Sequence, residues 1–340
     1  MLMKGQEIVW KASLFIIFPF LIISCEKDTG DNMNKDISFG ITGRILEGKH
    51  INSIASDNKG NVWVASDRNL YFTKSSINKS YTIDFPVLDM AIAPDETVWI
   101  GTNGGGLAHF DDNRVTWYTE ANAGLPRDYI SNVEIGADGK VWFSSCAFRI
   151  GGLCVFDGEK FEIFTPENSP LNQNIIEDIE IGPEGEVYIA TSGTVGKTNI
   201  YRITNNTWDC LGNEEGMFYW VNSFTTGPSG SIFLIEDFSL SSTFMNPANL
   251  FEYSDDEWHK IDSDNTQDFR FFTRIKADKR NYCWVSCHKN GSLVLYVYEG
   301  SAWISSPDDI FWDTYITTIE TDNENNIWIG TADGVYILNQ

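Results

Sequence analysis

Residues 316–331 read ITTIETDNENNIWIGT, and this pattern of alternating apolar residues, a polar turn and an aromatic residue recurs along the chain. The other copies are INSIASDNKGNVWVAS (51–66), VLDMAIAPDETVWIGT (87–102), ISNVEIGADGKVWFSS (130–145), IEDIEIGPEGEVYIAT (176–191), VNSFTTGPSGSIFLIE (221–236) and FTRIKADKRNYCWVSC (272–287). One aromatic residue marks each copy, at intervals of 36 to 51 residues: Trp63, Trp99, Trp142, Tyr188, Phe233, Trp284 and Trp328. Seven copies at this spacing indicate a repeat architecture.

Each copy predicts two β-strands, because apolar residues fall on every second position on both sides of the turn. A third and a fourth strand follow, as in GGLCVFDG (151–158) and KFEIFT (160–165). No stretch shows a convincing helical period. Four strands in about 40–45 residues are typical of one propeller blade. The sequence therefore predicts an all-β fold, a seven-bladed β-propeller of four-stranded blades, with the marker aromatics buried between neighbouring blades.

The ends of the chain predict how the propeller closes. The seventh copy is followed by one more strand, and the sequence then stops at Gln340, so its fourth strand is missing. The segment DISFGIT (36–42) alternates Ile37, Phe39 and Ile41. We expect this N-terminal segment to supply the missing strand and to cover an edge that otherwise invites aggregation. The propeller domain is thus predicted over residues 36–340.

Composition limits the function. The 340 residues are 42% hydrophobic, enough for a sizeable core, and they carry 48 acidic against 24 basic side chains for a net charge of −24. A surface this negative repels phosphate backbones, which excludes nucleic acid as the expected partner. We expect no metal and no cofactor, because the sequence has neither a CxxC pair nor a calcium-loop spacing.

The N-terminus resembles an export signal. Lys4 and Lys11 precede an uncharged run over residues 12–24, which is too short to span a bilayer. The run ends in Ser24-Cys25, which resembles a bacterial lipobox, and it predicts lipidation at Cys25. Residues 1–24 are then a lipoprotein signal peptide and residues 25–35 a flexible tether. The acidic residues just after Cys25, in EKDTGDNMNK (26–35), resemble the surface-export signals of lipoproteins in Bacteroidetes-type bacteria. This resemblance implies an outer-membrane lipoprotein that faces the periplasm or the cell surface.

The remaining cysteines leave two alternatives. Cys146 and Cys154 flank a predicted hairpin loop and could pair across it, or they could be buried free thiols. The sequence does not decide between them.

The phrase D-x-x-G-x-x-W-I-G-T-x-x-G-G-L/V-x-x-F/Y-D, present in part at 138–142, 99–110 and 325–336, resembles the two-component regulator propeller repeat. This resemblance implies the propeller fold and the ligand-binding architecture of a periplasmic sensor. Blades four to six depart from the pattern at Tyr188, Phe233 and Cys283-Trp284. The kinase domains of such sensors have no counterpart in this sequence, so we expect no phosphoryl signalling by the chain alone.

The loops that enter the innermost strands are predicted to converge at one mouth of the central channel. Large aromatic and cationic side chains on loops suit a glycan or peptide ligand, because rings stack on sugars and loops carry no core requirement for them. The candidate ligand-binding residues are Arg127, Tyr129, Trp220, Arg270, Trp312 and Tyr315. The predicted function is that of a non-catalytic binding protein.

Two alternatives remain open. A protein–protein scaffold of an envelope complex would present a broad apolar face. A propeller lyase of the virginiamycin B lyase kind, or a hydrolase, would need a histidine and a carboxylate close together, and His288 with Glu236 could supply them. No HExxH, GxSxG or P-loop motif supports catalysis.

Overall fold

The computed structural model of the protein describes residues 37–73, 77–147, 150–192, 198–212, 218, 221–236, 249–262, 272–289, 292–307 and 314–340. These residues form seven four-stranded antiparallel sheets and a single short helix. The all-β, seven-bladed propeller that the repeat predicts is therefore confirmed. Within the described residues, no helix has the length and apolar character needed to cross a membrane.

Six blades run in chain order from their innermost to their outermost strand. Blades 1 to 3 are formed by β2 (Ser53–Ser56), β3 (Val62–Ser66), β4 (Asn69–Thr73) and β5 (Ile77–Thr82); by β6 (Val87–Ile92), β7 (Val98–Thr102), β8 (Leu107–Asp111) and β9 (Arg114–Tyr118); and by β10 (Val133–Ile135), β11 (Val141–Ala147), β12 (Ile150–Phe156) and β13 (Phe161–Phe164).

Blades 4 to 6 follow the same order. They are formed by β14 (Ile175–Ile181), β15 (Val187–Ser192), β16 (Ile200–Thr204) and β17 (Thr207–Cys210); by β18 (Val221–Thr226), β19 (Ile232–Glu236), β20 (Asn249–Ser254) and β21 (Glu257–Ile261); and by β22 (Phe272–Ala277), β23 (Cys283–Lys289), β24 (Ser292–Tyr298) and β25 (Trp303–Ser305).

Blade 7 joins the two ends of the described chain. It consists of β26 (Ile316–Thr321), β27 (Ile327–Thr331), β28 (Gly334–Leu338) and, as its outermost strand, β1 (Ile41–Ile45). Closure by the N-terminal segment is confirmed, but the strand begins at Ile41, later than we predict. Ile37 and Phe39 instead pack against the seam between blades 6 and 7, where the Phe39 ring lies edge-on 5.7 Å from Trp284. That aromatic contact removes Phe39 from the sheet.

Seven apolar clusters fill the seven seams between neighbouring blades, and each contains one marker aromatic. All seven of these rings are buried, with Trp63, Trp99 and Trp142 the most exposed at 7% and Trp284 fully enclosed. Burying such a ring contributes roughly 2–3 kcal/mol relative to exposure. The repeated aromatic therefore stabilises the contact between blades, as the sequence predicts.

The one described helix, α1 (Glu120–Ala123), follows β9. Thr119 caps its first turn and Gly124, in a left-handed conformation, ends it. The sequence shows no helical period here because four residues are too few to produce one.

Candidate functional site

The innermost strands surround a central channel, and we call the end at which these strands begin the upper face. Tyr129 and Tyr315 precede the first residues of innermost-strand copies in blades 3 and 7, so both lie at this face. Their side chains are exposed, at 37% for Tyr129 and 50% for Tyr315. The Tyr315 hydroxyl lies 3.4 Å from His50 Nδ1, and the two ring centroids are 5.8 Å apart. The structure thus places both predicted tyrosines where a ligand can reach them.

Arg127 also lies at the upper face, but its side chain is engaged within blade 3. Its Nη1 donates to Glu120 Oε2 at 3.4 Å and to the Pro126 carbonyl at 3.1 Å. Its backbone N–H donates to Ser145 Oγ at 3.0 Å. Arg127 therefore fixes the loop between helix α1 and the innermost strand, with its guanidinium half-buried.

Three of the predicted ligand-binding residues, Trp220, Arg270 and Trp312, lie outside the described residues, as does Cys25. The side chain of His288 is likewise outside them. Its suggested partner Glu236 is buried and accepts a hydrogen bond from Asn249 Nδ2 at 3.0 Å.

Exposed apolar side chains concentrate at the upper face. The described residues include six large exposed apolar side chains, and four of them lie at this face: Phe85, Tyr129, Ile150 and Tyr315. The other two, Ile41 and Ile77, lie on outermost strands. Exposed apolar side chains on one face of a protein can contribute to an interaction site.

Below this face the channel encloses a cavity of about 390 Å³. The third and the fifth residues of the seven sequence copies contribute about half of its wall. We call the third residues the upper ring: Ser53, Asp89, Asn132, Asp178, Ser223, Arg274 and Thr318. We call the fifth residues the lower ring: Ala55, Ala91, Glu134, Glu180, Thr225, Lys276 and Glu320. All of them except Thr225 line the cavity.

Two aspartates of the upper ring connect neighbouring blades. Asp89 accepts hydrogen bonds from Ser53 Oγ at 3.0 Å and from the Val133 amide at 2.9 Å. Asp178 accepts from the Phe224 amide at 3.1 Å. An innermost strand has an open edge toward the channel, so these amides lack a partner strand and need another acceptor.

The lower ring contains an ammonium group between carboxylates. Lys276 Nζ lies 3.5 Å from Glu180 Oε1 and 3.3 Å from Glu320 Oε2, which links blades 4, 6 and 7. The three side chains keep 15–21% of their surface exposed, so channel water still reaches them.

Enclosure of like charges in the channel raises carboxyl pKa values. Burial raises the pKa of Asp89 to about 6, and burial together with the charge of Glu180 raises the pKa of Asp178 to about 8. Burial and Glu180 also hold the pKa of Glu134 well above its usual range. Burial lowers the pKa of Lys276, but the surrounding glutamates outweigh it and raise that pKa well above the ordinary value. The channel therefore favours cations and protons.

Sequence reasoning looked for the site on the loops and missed the two rings. The sequence did contain a signal for them. The segments VEIG (133–136), EDIEIG (177–182) and TRIKAD (273–278) carry charged residues at the third or the fifth position of their sequence copy, next to apolar strand residues. The channel explains these charges, since these positions alternate with the buried apolar position between them.

The cysteine alternatives are resolved in favour of free thiols. Cys146 and Cys154 are both buried and unpaired. In the register of β11 and β12, Cys146 lies opposite Gly151 and Cys154 opposite Phe143, so the two thiols do not face each other.

Comparison with known sequences supports the repeat. The profile of the two component regulator propeller family matches residues 45–68 and 311–333. The chain therefore carries two-component regulator propeller repeats, as its sequence motif predicts. The search of curated proteins gave no match.

Solved propellers share the fold at low sequence identity. Virginiamycin B lyase from Staphylococcus aureus is 14% identical, with a TM-score of 0.67 over 88% of this chain and 97% of that one. The extracellular domain assigned to a hybrid two component system of B. thetaiotaomicron is 17% identical, with a TM-score of 0.62 over 86% of this chain. The match covers 39% of that extracellular domain. YCF48 bound to a D1 peptide is 11% identical, with a TM-score of 0.62 over 88% of this chain and 96% of that one.

Proposed function

We propose that this chain is a non-catalytic, lipid-anchored envelope protein that binds a glycan or a peptide at the upper face of its propeller. One observation carries the proposal: four of the six large exposed apolar side chains in the described part of the chain lie at this face, above a polar cavity. Exposed rings beside polar groups suit sugars and peptides, which offer both apolar faces and hydrogen-bonding groups.

The family of the repeat and two of the structural neighbours support this proposal. The repeat is that of two component regulator propellers, and one structural neighbour is an extracellular domain assigned to such a system. Another neighbour was solved with a peptide bound. An extracellular or envelope location fits both these neighbours and the lipobox-like Ser24-Cys25.

Ligand binding is tested by screening the full chain on glycan and peptide arrays, with Tyr129→Ala and Tyr315→Ala as variants. Each exposed ring that stacks on a ligand contributes about 1 kcal/mol, so each variant should bind the array hits roughly fivefold more weakly. Ile77→Ala is the matched control, because it removes an exposed apolar side chain from an outer strand. Unchanged binding in both tyrosine variants would disprove the proposed face.

Two further measurements address the rest of the proposal. Labelling cells with a palmitate analogue should mark the wild-type chain and a Cys210→Ala control, but not Cys25→Ala. Incubation of each array hit with the protein, followed by mass spectrometry, should return the ligand unaltered. A cleaved ligand would favour the lyase or hydrolase alternative instead.

A further inference from the structure

The cavity wall carries more negative than positive groups. Its described lining contains the carboxylates of Asp89, Glu134, Glu177, Asp178, Glu180 and Glu320. The lining contains two cations, Arg274 and Lys276. Lys276 is already held by Glu180 and Glu320. Arg274 donates to the Thr317 and Thr273 carbonyls and forms no ion pair with a described residue.

One side of the channel, formed by blades 3, 4 and 5, has groups without partners. Within the part of the chain that the structure describes, the Glu134 and Glu177 carboxylates make neither a hydrogen bond nor an ion pair. Ser223 lines the same cavity from the next blade. It is only 9% exposed, and its hydroxyl has no hydrogen-bond partner among the described residues. The Ser223 hydroxyl is therefore free to accept a hydrogen bond from a ligand or a water molecule in the cavity.

The lower ring already shows which charge the channel accepts. Enclosure alone opposes a charged lysine, yet the glutamates around Lys276 raise its pKa well above the ordinary value. Burial and the charge of Glu180 also raise the pKa values of Glu134 and Asp178, so negative charge is crowded on this side of the channel. A second cation on the blade 3–5 side would find acceptors there without displacing Lys276.

We propose that the channel holds the alkylammonium group of a ligand against Glu134, Asp178 and Ser223, with Glu177 at the opening of the cavity. This inference rests on the proposed function, because the ligand reaches the channel through the upper face. An ammonium group has three N–H donors, and these three side chains offer acceptors on neighbouring blades. A slender chain such as a lysine side chain or a polyamine fits a cavity of this size.

The acidic side chains do not form a metal site of the usual kind. Among the described residues, no three His, Cys, Asp or Glu side chains are arranged to hold a metal ion. A carboxylate or phosphate ligand would meet the excess of negative groups, which is unfavourable at these distances. An organic cation fits the wall better than either.

The test measures binding of defined probes to the full chain by isothermal titration calorimetry. The probes are acetyl-Gly-Lys-Gly-amide, its ε-acetyl-lysine counterpart, spermidine and CaCl2. The lysine peptide or spermidine should bind at least tenfold more tightly than the acetylated peptide, which has no charge. Binding by spermidine alone assigns the ammonium to a free polyamine, and binding by the peptide assigns it to a lysine side chain.

Two variants locate the bound ammonium. Glu134→Gln and Ser223→Ala should each weaken binding of the charged probe, about tenfold for Glu134→Gln, which corresponds to about 1.4 kcal/mol. Glu159→Gln, which changes an exposed turn residue, is the matched control and should bind as the wild type does. Equal binding of charged and acetylated peptides, tighter binding of Ca²⁺ than of either amine, or an unaffected Glu134→Gln variant would each overturn the proposal.

A measurement on the wild type keeps the test decisive if a variant fails to fold. A bound ammonium favours the charged carboxylates, so the protein should release protons near pH 7, and the apparent enthalpy should change with the ionisation enthalpy of the buffer. No proton release would contradict the proposal. Loss of binding in Tyr129→Ala and Tyr315→Ala with equal affinity for both peptides would refute this inference while leaving the proposed function intact.

Discussion

Replacing Lys276 by methionine tests whether the lower ring holds three blades together. The change removes the ammonium between Glu180 and Glu320 and keeps a side chain of similar length. At these distances and an effective dielectric constant of about 20, each ion pair is worth roughly 5 kcal/mol of Coulomb energy, most of which the dehydration of the ions offsets. Removing one partner is more costly than the net value of the pairs, because two carboxylates are then enclosed without a cation.

Breaking a buried ion pair in this way costs about 3–5 kcal/mol. Because the Lys276 side chain remains 21% exposed, we expect the lower end, about 3 kcal/mol of the free energy of unfolding at pH 8. The loss should shrink at pH 5. Without the ammonium, the folded-state pKa of Glu180, already raised, rises further above its unfolded value. The folded state then binds more protons than the unfolded state, so the variant gains stability as the pH falls.

The assay is urea denaturation of the full chain, followed by tryptophan fluorescence and circular dichroism at pH 5 and pH 8. Lys59→Met is the matched control. Lys59 forms an ion pair with Glu96 at 2.7 Å, but both side chains are 56% exposed and screened by water, so its loss should lower stability far less than Lys276→Met does. If Lys276→Met and Lys59→Met lower stability equally, or if the loss does not depend on pH, the reasoning about the lower ring is refuted.

Two further substitutions test the carboxylates of the propeller. The pKa of Asp178 is raised from 3.8 to about 8 in the folded state, so the stability of the wild type should decline as the pH rises from about 4 to 8. In urea titrations, Asp178→Asn should reduce that decline by about 2–4 kcal/mol. The control Asp112→Asn changes an exposed residue and should leave the decline unchanged. The Asp322 carboxylate accepts hydrogen bonds from Trp328 Nε1 and from the Asn326 backbone N–H, both at 2.9 Å. Asp322→Ala should therefore lower the free energy of unfolding, measured by thermal denaturation, by about 2–4 kcal/mol. The control Asp138→Ala should lower it by less than about 1 kcal/mol, because the Asp138 carboxylate pairs with Lys140 at the surface.

The fold could be predicted from the sequence because one residue type recurs at one structural position. Each marker aromatic lies in a different seam, and each seam needs a large apolar group for the same geometric reason. The position of β1 was harder to predict. Phe39 has the alternation of a strand residue, but the aromatic seam at Trp284 competes for it, and only the three-dimensional structure shows which contact is made.

The candidate site was predictable only in part, because no local signal defines a ring. Tyr129 and Tyr315 could be selected from their place before an innermost strand, and both are exposed at the upper face. Arg127 satisfied the same rule, yet it is engaged by Glu120, a partner contributed by a helix that the sequence pattern does not reveal. Spacing places a residue at a face but does not identify its neighbours.

The two rings show why the chemistry of the channel can change without a change of the fold. In each innermost strand the fourth residue, such as Val133 or Ile179, is buried in a seam, and this position is apolar in all seven copies. The third and fifth residues, Thr225 excepted, line the channel, where alanine, serine, lysine and glutamate all occur at equivalent positions. Stability therefore depends on one side of the strand and channel chemistry on the other. A charge reversal in the lower ring, such as Glu134→Lys, should alter what the channel binds while the seams between the blades stay intact.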